Sequence, residues 1–243
     1  MTSLISPVQG FNVYSSSFEA GMFNSIRSMT ADMKHMQLIS ENVSKAGLSG
    51  FQANRVIRRP FVEHLGVASI EHVKDTRVGR LRQTGKGEDF ALATQGYFQV
   101  LDPHTGQISL TRDGRSQIDA QGYMRSRQGQ HFLDGSGNPI KLPEVPQDAG
   151  KQLKIDEDGT ITYRSHQSGN YTPVGRLSIV SEAGNPPEKV EVIQMHVEDG
   201  NVMIQEEFME MVPTRRYFEA NSQVFKMQSE SLQRMLQELG RAN

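Results

Sequence analysis

The residues best suited to chemistry are scattered along this chain, and none of them forms a recognisable catalytic motif. Asp156-Glu157-Asp158-Gly159 has some features of a calcium-binding loop. Such a loop needs alternating oxygen ligands and a distant bidentate glutamate, and Glu157 breaks the alternation. A plain β-turn is therefore the favoured interpretation. The seven histidines show no close pair at metal-ligand spacing: His35, His64, His72, His104, His131, His166 and His196. We predict no catalytic residue, no metal site and no cofactor.

Composition argues against several further classes of site. The 243 residues include no Cys, which removes disulfides, thiolate nucleophiles and thiolate metal ligands. The formal net charge of −2 provides no overall basic field for nucleic acid. No stretch approaches the roughly 20 apolar residues that cross a bilayer. The first 18 residues lack the basic start and continuous apolar run of a cleavable signal. We therefore expect no nucleic-acid binding, no membrane insertion and no cleavable signal peptide.

A run of basic residues is the strongest local charge feature. It contains a single interleaved aromatic residue, Phe61, and comprises Arg55, Arg58, Arg59, Arg77, Arg80, Arg82 and Lys86. A phosphate or nucleic-acid site is one interpretation. A charged face that meets acidic patches on neighbouring molecules, or a solvated face, is favoured.

A helical pattern begins near Phe18 and continues to Ala46. Alternating steps of four and three residues mark a mostly apolar stripe, which consists of Met22, Ile26, Met29, Met33, Met36, Ser40 and Val43. Gly47 and Gly50 supply a stop signal. We predict a helical segment at 21–50. An extended or disordered arm at 1–20 should precede it, because Ser is frequent there and Pro7 and Gly10 disfavour a helix.

The same spacing returns at the other end of the chain, within a second predicted helical segment at 201–243. Its stripe consists of Ile204, Phe208, Met211, Arg215, Phe218, Ser222, Phe225, Ser229, Leu232, Leu236 and Leu239. Pro213 should kink or interrupt this helix, because proline removes a backbone donor and clashes with the preceding turn. Two helices are therefore possible, with the longer one starting near Thr214.

Between the helical segments the pattern is that of β-strands. Short apolar or alternating runs, such as Tyr97-Phe98-Gln99-Val100-Leu101 and Thr160-Ile161-Thr162-Tyr163, are separated by turn residues every several positions. This spacing predicts a mostly antiparallel β domain at 76–200. Residues 51–75 are predicted to form an extended charged bridge, because Pro60 argues against a continuous helix.

The predicted fold class is therefore α+β, with N- and C-terminal helices pairing as a coiled coil and a central, mostly antiparallel β domain. Each apolar stripe needs a partner, and the simplest partner is the other stripe. Such a pair covers only part of its apolar surface and leaves the remainder for adjacent subunits.

Five short runs stand in an order that is found in one protein family. They are Leu38 to Val43 with Leu48-Ser49-Gly50-Phe51, Asp89 to Val100, Leu110-Thr111-Arg112-Asp113-Gly114, Asn201-Val202 with Glu206-Glu207-Phe208, and Arg215 to Glu219. Together they resemble the flagellar rod and hook axial proteins, over most of residues 21–239. The motif turn residues are Asn42, Gly50, Phe51, Gly96, Arg112 and Gly114. Glu41 and Lys45 depart from the family pattern.

The resemblance implies a structural subunit of the bacterial flagellar basal-body rod, of the proximal type. Its implied partners are other rod and hook axial proteins, copies of itself and the flagellar type III export apparatus. The implied location is the periplasm-spanning rod. The expected assembly residues are Met22, Ile26, Met29, Met33, Met36, Val43, Phe208, Met211, Phe218, Phe225, Leu232, Leu236 and Leu239.

Three alternatives stay open on the sequence alone. The first is a distal rod or hook-type subunit of the same family. The second is a soluble β-rich hydrolase, which would need carboxylates converging in a cleft. The third is a coiled-coil adaptor that binds one partner and does not extend into a filament.

Overall fold

The computed structural model describes residues 8–58, 70–144, 149–165 and 169–241. Two compact units share the chain. The helical unit combines Met1–Val43, Asn54–Val73 and Met203–Asn243, and the β unit combines Ser44–Ala53 and Lys74–Val202. The α+β fold class is confirmed. Residues 1–7 of the predicted arm and 59–69 of the predicted bridge lie outside the described residues.

The described residues contain two long helices, one short helix and fifteen short strands. In chain order these are α1 (Val8–Lys45), β1 (Asn54–Arg58), β2 (Ile70–Lys74), β3 (Leu81–Gln83), β4 (Phe90–Leu92), β5 (Tyr97–Leu101), β6 (Ile108–Thr111), β7 (Ser116–Ile118), β8 (Met124–Ser126), β9 (His131–Phe132), α2 (Ala149–Gln152), β10 (Leu153–Ile155), β11 (Thr160–Arg164), β12 (Tyr171–Arg176), β13 (Ile179–Val180), β14 (Val192–Gln194), β15 (His196–Glu198) and α3 (Ile204–Arg241).

The prediction of an extended or disordered arm over 1–20 is wrong from Val8 onward, because α1 begins there. Extending an existing helix adds one backbone hydrogen bond per residue without a new nucleation step. No proline occurs between Val8 and Lys45 to stop that extension, whereas Pro7 directly precedes the helix. The hydrogen bonds gained by extending the helix therefore outweigh the weak helix propensity of the Ser-rich segment.

The predicted interruption of the helix at Pro213 is also wrong, since α3 continues through it as one run from Ile204 to Arg241. The predicted kink there stays a prediction. The proline removes one backbone donor from a helix of 38 residues. Side chains on both sides of it, Glu207 and Thr214, are buried in the helical unit. Contacts on each side of the proline therefore hold the helix together despite the lost hydrogen bond.

The β unit is built from small antiparallel sheets around one apolar core. The largest sheet has six strands, in which β5 pairs with β6, β9 and β13, and β8 joins β7 to β9. A second sheet has the order β10-β11-β12, and two strand pairs, β14-β4 and β15-β3, complete the unit. Phe90, Phe98 and Phe132 meet edge to face at the centre, with ring centroids 4.9 to 6.1 Å apart.

The turns of the β unit reuse one device, in which an aspartate closes the turn with its carboxylate. Asp119 Oδ1 accepts hydrogen bonds from the backbone N–H groups of Gln121 at 2.9 Å and Tyr123 at 2.8 Å. Gly122 occupies the left-handed position of this turn, with φ +88°. Turns of this kind explain why short strands follow one another so closely.

The acidic run at 156–159 is a turn of the same kind. Gly159 N donates to Asp156 O at 2.9 Å, and Asp158 Oδ1 accepts from Thr160 N at 3.0 Å. Lys154 forms an ion pair with Asp156 at 2.7 Å. The β-turn interpretation is confirmed, and these carboxylates have protein partners.

Candidate assembly interface

The predicted stripe on α1 divides into two sets of residues. Met22, Met29, Met36 and Val43, which are seven residues apart, are half-buried. Ile26 and Met33 are 42% and 57% exposed. Ser40, the polar member of the stripe, is also exposed. One half of the predicted stripe is therefore partly covered within the helical unit, and the other half is exposed.

The stripe on α3 divides in the same way. Met211, Phe218, Phe225 and Leu232 are half-buried and seven residues apart. The other expected assembly residues of α3 are exposed: Phe208, Leu236 and Leu239. We call the covered residues of α1 and α3 the inner stripes. They repeat every seven residues, as predicted, but they also include residues between these positions that the prediction had left out.

Polar residues complete the inner stripes of the two helices. On α1 they are Ser25, Asp32 and Asn42, and on α3 they are Glu207 and Thr214, all buried. Asn221 and Gln228 continue the α3 series at intervals of seven and are half-buried. This polar series was visible in the sequence, because each of its residues directly precedes a residue of the predicted stripe, as Glu207 precedes Phe208. A search for apolar residues alone passes over it.

Hydrogen bonds link these polar residues across the two helices. Asn42 Nδ2 donates to Glu207 Oε2 at 3.2 Å. Further along the pair, Asn221 Nδ2 donates to Asp32 Oδ2 at 3.3 Å. The numbers of the contacting residues increase along α3 as they decrease along α1, so the two helices are antiparallel. The supercoil of a coiled coil stays a prediction.

Asn42 is the centre of the first of these contacts. Its Oδ1 accepts from Asn54 N at 2.9 Å, and its Nδ2 also donates to Asn54 O at 2.9 Å. The side chain therefore ties the end of α1 to the start of β1 as well as to Glu207. An amide is suited to this role because it donates and accepts at the same time.

A group of three carboxylates on α3 surrounds the same point. Arg55 on β1 lies 3.0 Å from Glu206, 3.6 Å from Glu207 and 3.5 Å from Glu210. Burial raises the pKa of the Glu207 carboxyl above its ordinary value of 4.5, although the Asn42 hydrogen bond and the Arg55 charge act in the opposite direction. Glu207 is the buried member of the group, at 1% exposed.

His35 on α1 joins this group from the other side. Thr214 Oγ1 donates to Glu210 O at 2.8 Å, so it is left to accept from His35 Nδ1 at 3.2 Å. His35 Nε2 lies 3.3 Å from Glu210 Oε2.

The motif turn residues of the β unit converge on a buried ion pair. Arg112 Nε donates to Glu198 Oε2 at 2.6 Å, and both side chains are almost fully buried. The remaining guanidinium nitrogens donate to the backbone oxygens of Gly96, Leu92 and Thr94. The arginine in the predicted turn is therefore a structural clamp, which the sequence alone could not distinguish from a surface charge.

Two motif glycines allow backbone segments to approach closely. A Cβ on Gly50 would overlap the backbone of Arg112 and Asp113, and Gly50 has φ +69°. A Cβ on Gly114 would overlap the Phe90 carbonyl oxygen. Phe51, next to Gly50, receives the Lys45 ammonium 5.6 Å from its ring centroid. The two glycines allow backbone segments of the β unit to approach closely, and they have no side chain available for chemistry.

Three residues of the basic run have nearby acidic partners. Arg55 pairs with the glutamates of α3, Arg77 lies 2.6 Å from Asp75, and Arg82 lies 3.1 Å from Asp199. Arg59 lies outside the described residues. A phosphate site built on these side chains would have to break existing ion pairs.

No group of three or more His, Asp or Glu that could hold a metal ion occurs in the described part of the chain. No described helix is long and apolar enough to cross a membrane. A half-open pocket of about 400 Å³ in the β unit is lined by Tyr97, Glu182 and Glu188, among others. The Tyr97 hydroxyl donates to Gln52 Oε1 at 2.7 Å, and burial raises its pKa.

The outward surface of the two helices is rich in apolar side chains. Those that are exposed are Phe23, Ile26, Met33, Ile204, Phe208, Met209, Val212, Tyr217, Val224, Met227, Met235, Leu236 and Leu239. Ile204, Phe208 and Val212 are four residues apart and therefore share one face of α3. We call the exposed apolar residues of α1 and α3 the outer stripes.

Comparison with known proteins agrees with the motif resemblance. Residues 91–163 match the family described as flagellar hook protein FlgE/F/G D1 domain. The chain is 24% identical to the flagellar basal-body rod protein FlgF of Rhizobium meliloti, over 91% of this chain and 98% of that protein. It is 26% identical to FlgF of Mesorhizobium japonicum, over 85% of this chain and 92% of the relative.

A second type of rod protein matches at a similar level. The flagellar basal-body rod protein FlgG of Buchnera aphidicola from Schizaphis graminum is 23% identical, over 86% of this chain and 95% of the relative. The family match, the relatives that align over nearly their whole length and the five motifs in family order agree. These findings support the flagellar basal-body rod proteins as the family that this chain resembles.

Proposed function

We propose that this protein is a structural subunit of the flagellar basal-body rod, which assembles through the outer stripes of α1 and α3. The observation that carries the proposal is the exposure of these stripes. Phe208, for example, is 53% exposed and Leu236 is 60% exposed. A concentration of exposed apolar side chains on two helices is typical of an association surface.

The arrangement suits a filament because the inner and outer stripes have different tasks. The inner stripes pair the two helices within the chain and use polar residues to do so. In the outer stripes, Ile26, Met33 and Phe208 each follow a buried polar residue by one position, which is about 100° around the helix. If the outer stripe of one copy packs against a different surface of the next, the contact is heterologous, and it gives a helical filament when the rotation between copies does not close a ring.

The proposed task of the subunit is mechanical and involves no turnover. Torque would pass from subunit to subunit through the helical units. The relatives are named as rod proteins, which supports a non-enzymatic role. The proposed partners are copies of this chain and other rod and hook axial proteins. We further propose delivery through the flagellar type III export apparatus to the periplasm-spanning rod.

A distal rod position is the second candidate, because FlgF and FlgG relatives match over similar shares of the chain. The two positions differ in which axial proteins lie above and below the subunit. Electron microscopy of isolated basal bodies, with this subunit carrying a fused tag, would locate it. A density at the distal end of the rod would replace the proximal assignment.

The decisive experiment introduces a charge into the outer stripe without touching the inner one. Phe208→Asp and Leu236→Asp are compared with Gln205→Asp and Gln237→Asp, which add the same charge at exposed polar positions of α3. We expect the first two to abolish swimming and leave basal bodies without a complete rod. Helical circular dichroism of the purified chains should be unchanged in all four. Normal swimming of the outer-stripe variants would defeat the proposal.

A further inference from the structure

We infer that three polar contacts between α1 and α3, together with one close approach, determine the register of this helix pair. The polar contacts are Glu207 with Asn42, Thr214 with His35, and Asn221 with Asp32. The close approach is that of Gln228 to Gly21, and we call all four the polar ladder. The register within one chain does not depend on the proposed rod function. Its consequence for assembly, namely that the outer stripes always emerge on the same face, does rest on that function.

The spacing of the ladder is regular along α3. The four residues follow there at intervals of seven, and seven residues of helix rise about 10.5 Å. On α1 the partners step backward from Asn42 to His35, then Asp32, then Gly21. A slip of α3 by one heptad would preserve the apolar contacts of the inner stripe, since these also repeat at seven. It would change every contact of the polar ladder.

Each contact of the ladder has its own chemistry. A carboxylate meets an amide at the first, a hydroxyl meets an imidazole at the second, and an amide meets a carboxylate at the third. Polar groups at a helix seam lower stability when unpaired, because burial removes their water. A polar residue at one seam position is known to specify register in coiled coils for this reason.

The first contact is fixed by more than the two helices. Asn42 is held on both its oxygen and its nitrogen by the backbone of Asn54. It therefore cannot follow α3 if α3 slips. Glu207 would then lose both the amide and the nearby Arg55, and its buried carboxyl would be left without either partner.

The last contact is steric. The Gln228 side chain lies against Gly21, where a Cβ would come within 2.7 Å of Gln228 Nε2. A side chain at this position would require the end of the glutamine side chain to move. Gly21 thus leaves room for Gln228 in the observed register.

Distance measurement between two spin labels tests the inference on the isolated protein. The chain has no cysteine, so Lys34→Cys and Ser222→Cys, both at exposed positions, provide the only labelling sites. In this labelled background the three hydrogen-bonded contacts of the ladder are removed by Glu207→Leu, Thr214→Leu and Asn221→Leu. The matched control is Arg216→Leu, Gln223→Leu and Glu230→Leu, which has the same spacing on the exposed face of α3.

We expect one narrow distance for the parent and for the control. The ladder variant should show a broadened or second population, displaced by up to about 10 Å, which is one heptad of rise. A single unshifted distance in the ladder variant would overturn the inference.

A milder pair of variants covers the case in which the triple change unfolds the helices. Asn221→Asp places two carboxylates opposite each other, and Asp32→Asn with Asn221→Asp restores an amide facing a carboxylate. The single variant should broaden the distance distribution, and the double variant should narrow it again. Identical distributions for the single and the double variant would also overturn the inference. Neither result affects the swimming test of Phe208→Asp, so the two proposals fail separately.

Discussion

Glu207 of α3 accepts a hydrogen bond from Asn42 of α1 at 3.2 Å, although each side chain is only 1% exposed. A carboxyl and an amide that lie 165 residues apart in sequence therefore form one buried contact. It joins the end of α1 to the start of α3, next to the strand β1. Three consequences of buried contacts in this protein can be measured.

The first concerns the pH dependence of the helical unit. Burial raises the folded-state pKa of Glu207 above 4.5, so the folded chain retains this proton at pH values where the unfolded chain has lost it. The resulting stability is fully present below about pH 4.5 and is lost as pH rises through the folded pKa. We expect Glu207→Gln to flatten the fall of unfolding free energy with pH in this window, as followed by circular dichroism at 222 nm.

The control for this pH prediction is Glu219→Gln on the same helix. Glu219 forms an exposed pair with Arg215 at 2.9 Å, and the same substitution there removes one carboxylate without touching a buried site. It should keep the parent slope of stability against pH. Equal slopes for Glu207→Gln and the parent would contradict the prediction.

The second consequence concerns the buried ion pair of the β unit. Arg112→Leu leaves the Glu198 carboxylate buried without its charge partner, and three backbone oxygens lose a donor. Breaking a buried pair from one side costs about 3–5 kcal/mol. Urea unfolding should show a loss of that size.

Arg115→Leu is the matched change, because Arg115 pairs with Asp113 at 2.6 Å in a more accessible position. Pairs that water reaches contribute about 1 kcal/mol or less. If both variants lose the same stability, Arg112 does not act as a clamp.

The third consequence concerns the close approach at Gly114. A Cβ there would overlap the Phe90 carbonyl oxygen, and the backbone of a core strand has to move to relieve the overlap. We expect Gly114→Ala to destabilise the β unit by about 3 kcal/mol or more. Gly135→Ala provides the comparison, since a Cβ at Gly135 meets nothing within 4 Å. Similar midpoints of thermal unfolding for these two variants would show that the approach to Phe90 does not require glycine.

Much of the β unit could be predicted from the sequence, because its signals are local. The runs at Tyr97–Leu101 and Thr160–Arg164 became β5 and β11. Turn geometry depends on a few adjacent residues, and Gly122 with Asp119 shows how little context it needs. The clamp at Arg112 was missed, since its partner Glu198 lies 86 residues away. No local pattern marks that partner.

The start of α1 and the interruption of α3 at Pro213 were predicted wrongly for a related reason. Serine-rich composition and a proline are local arguments against a helix, and each is worth only a few kcal/mol at most. A helix that is already formed and packed can absorb such costs. The continuation of α3 through Pro213 therefore depends on contacts on both sides of it, such as those of Glu207 and Thr214.

By itself the sequence determined that both ends of this chain form helices with a seven-residue repeat and that short antiparallel strands lie between them. Period and turn chemistry are properties of neighbouring residues, and the chain carries them wherever it folds. Only the tertiary structure decided which of two adjacent stripes faces inward. Ile26 and Phe208 are more apolar than Asp32 and Glu207, yet the polar residues are the buried ones. They are buried because each has a hydrogen-bonding partner on the opposite helix, and a partner is a fact about the folded chain.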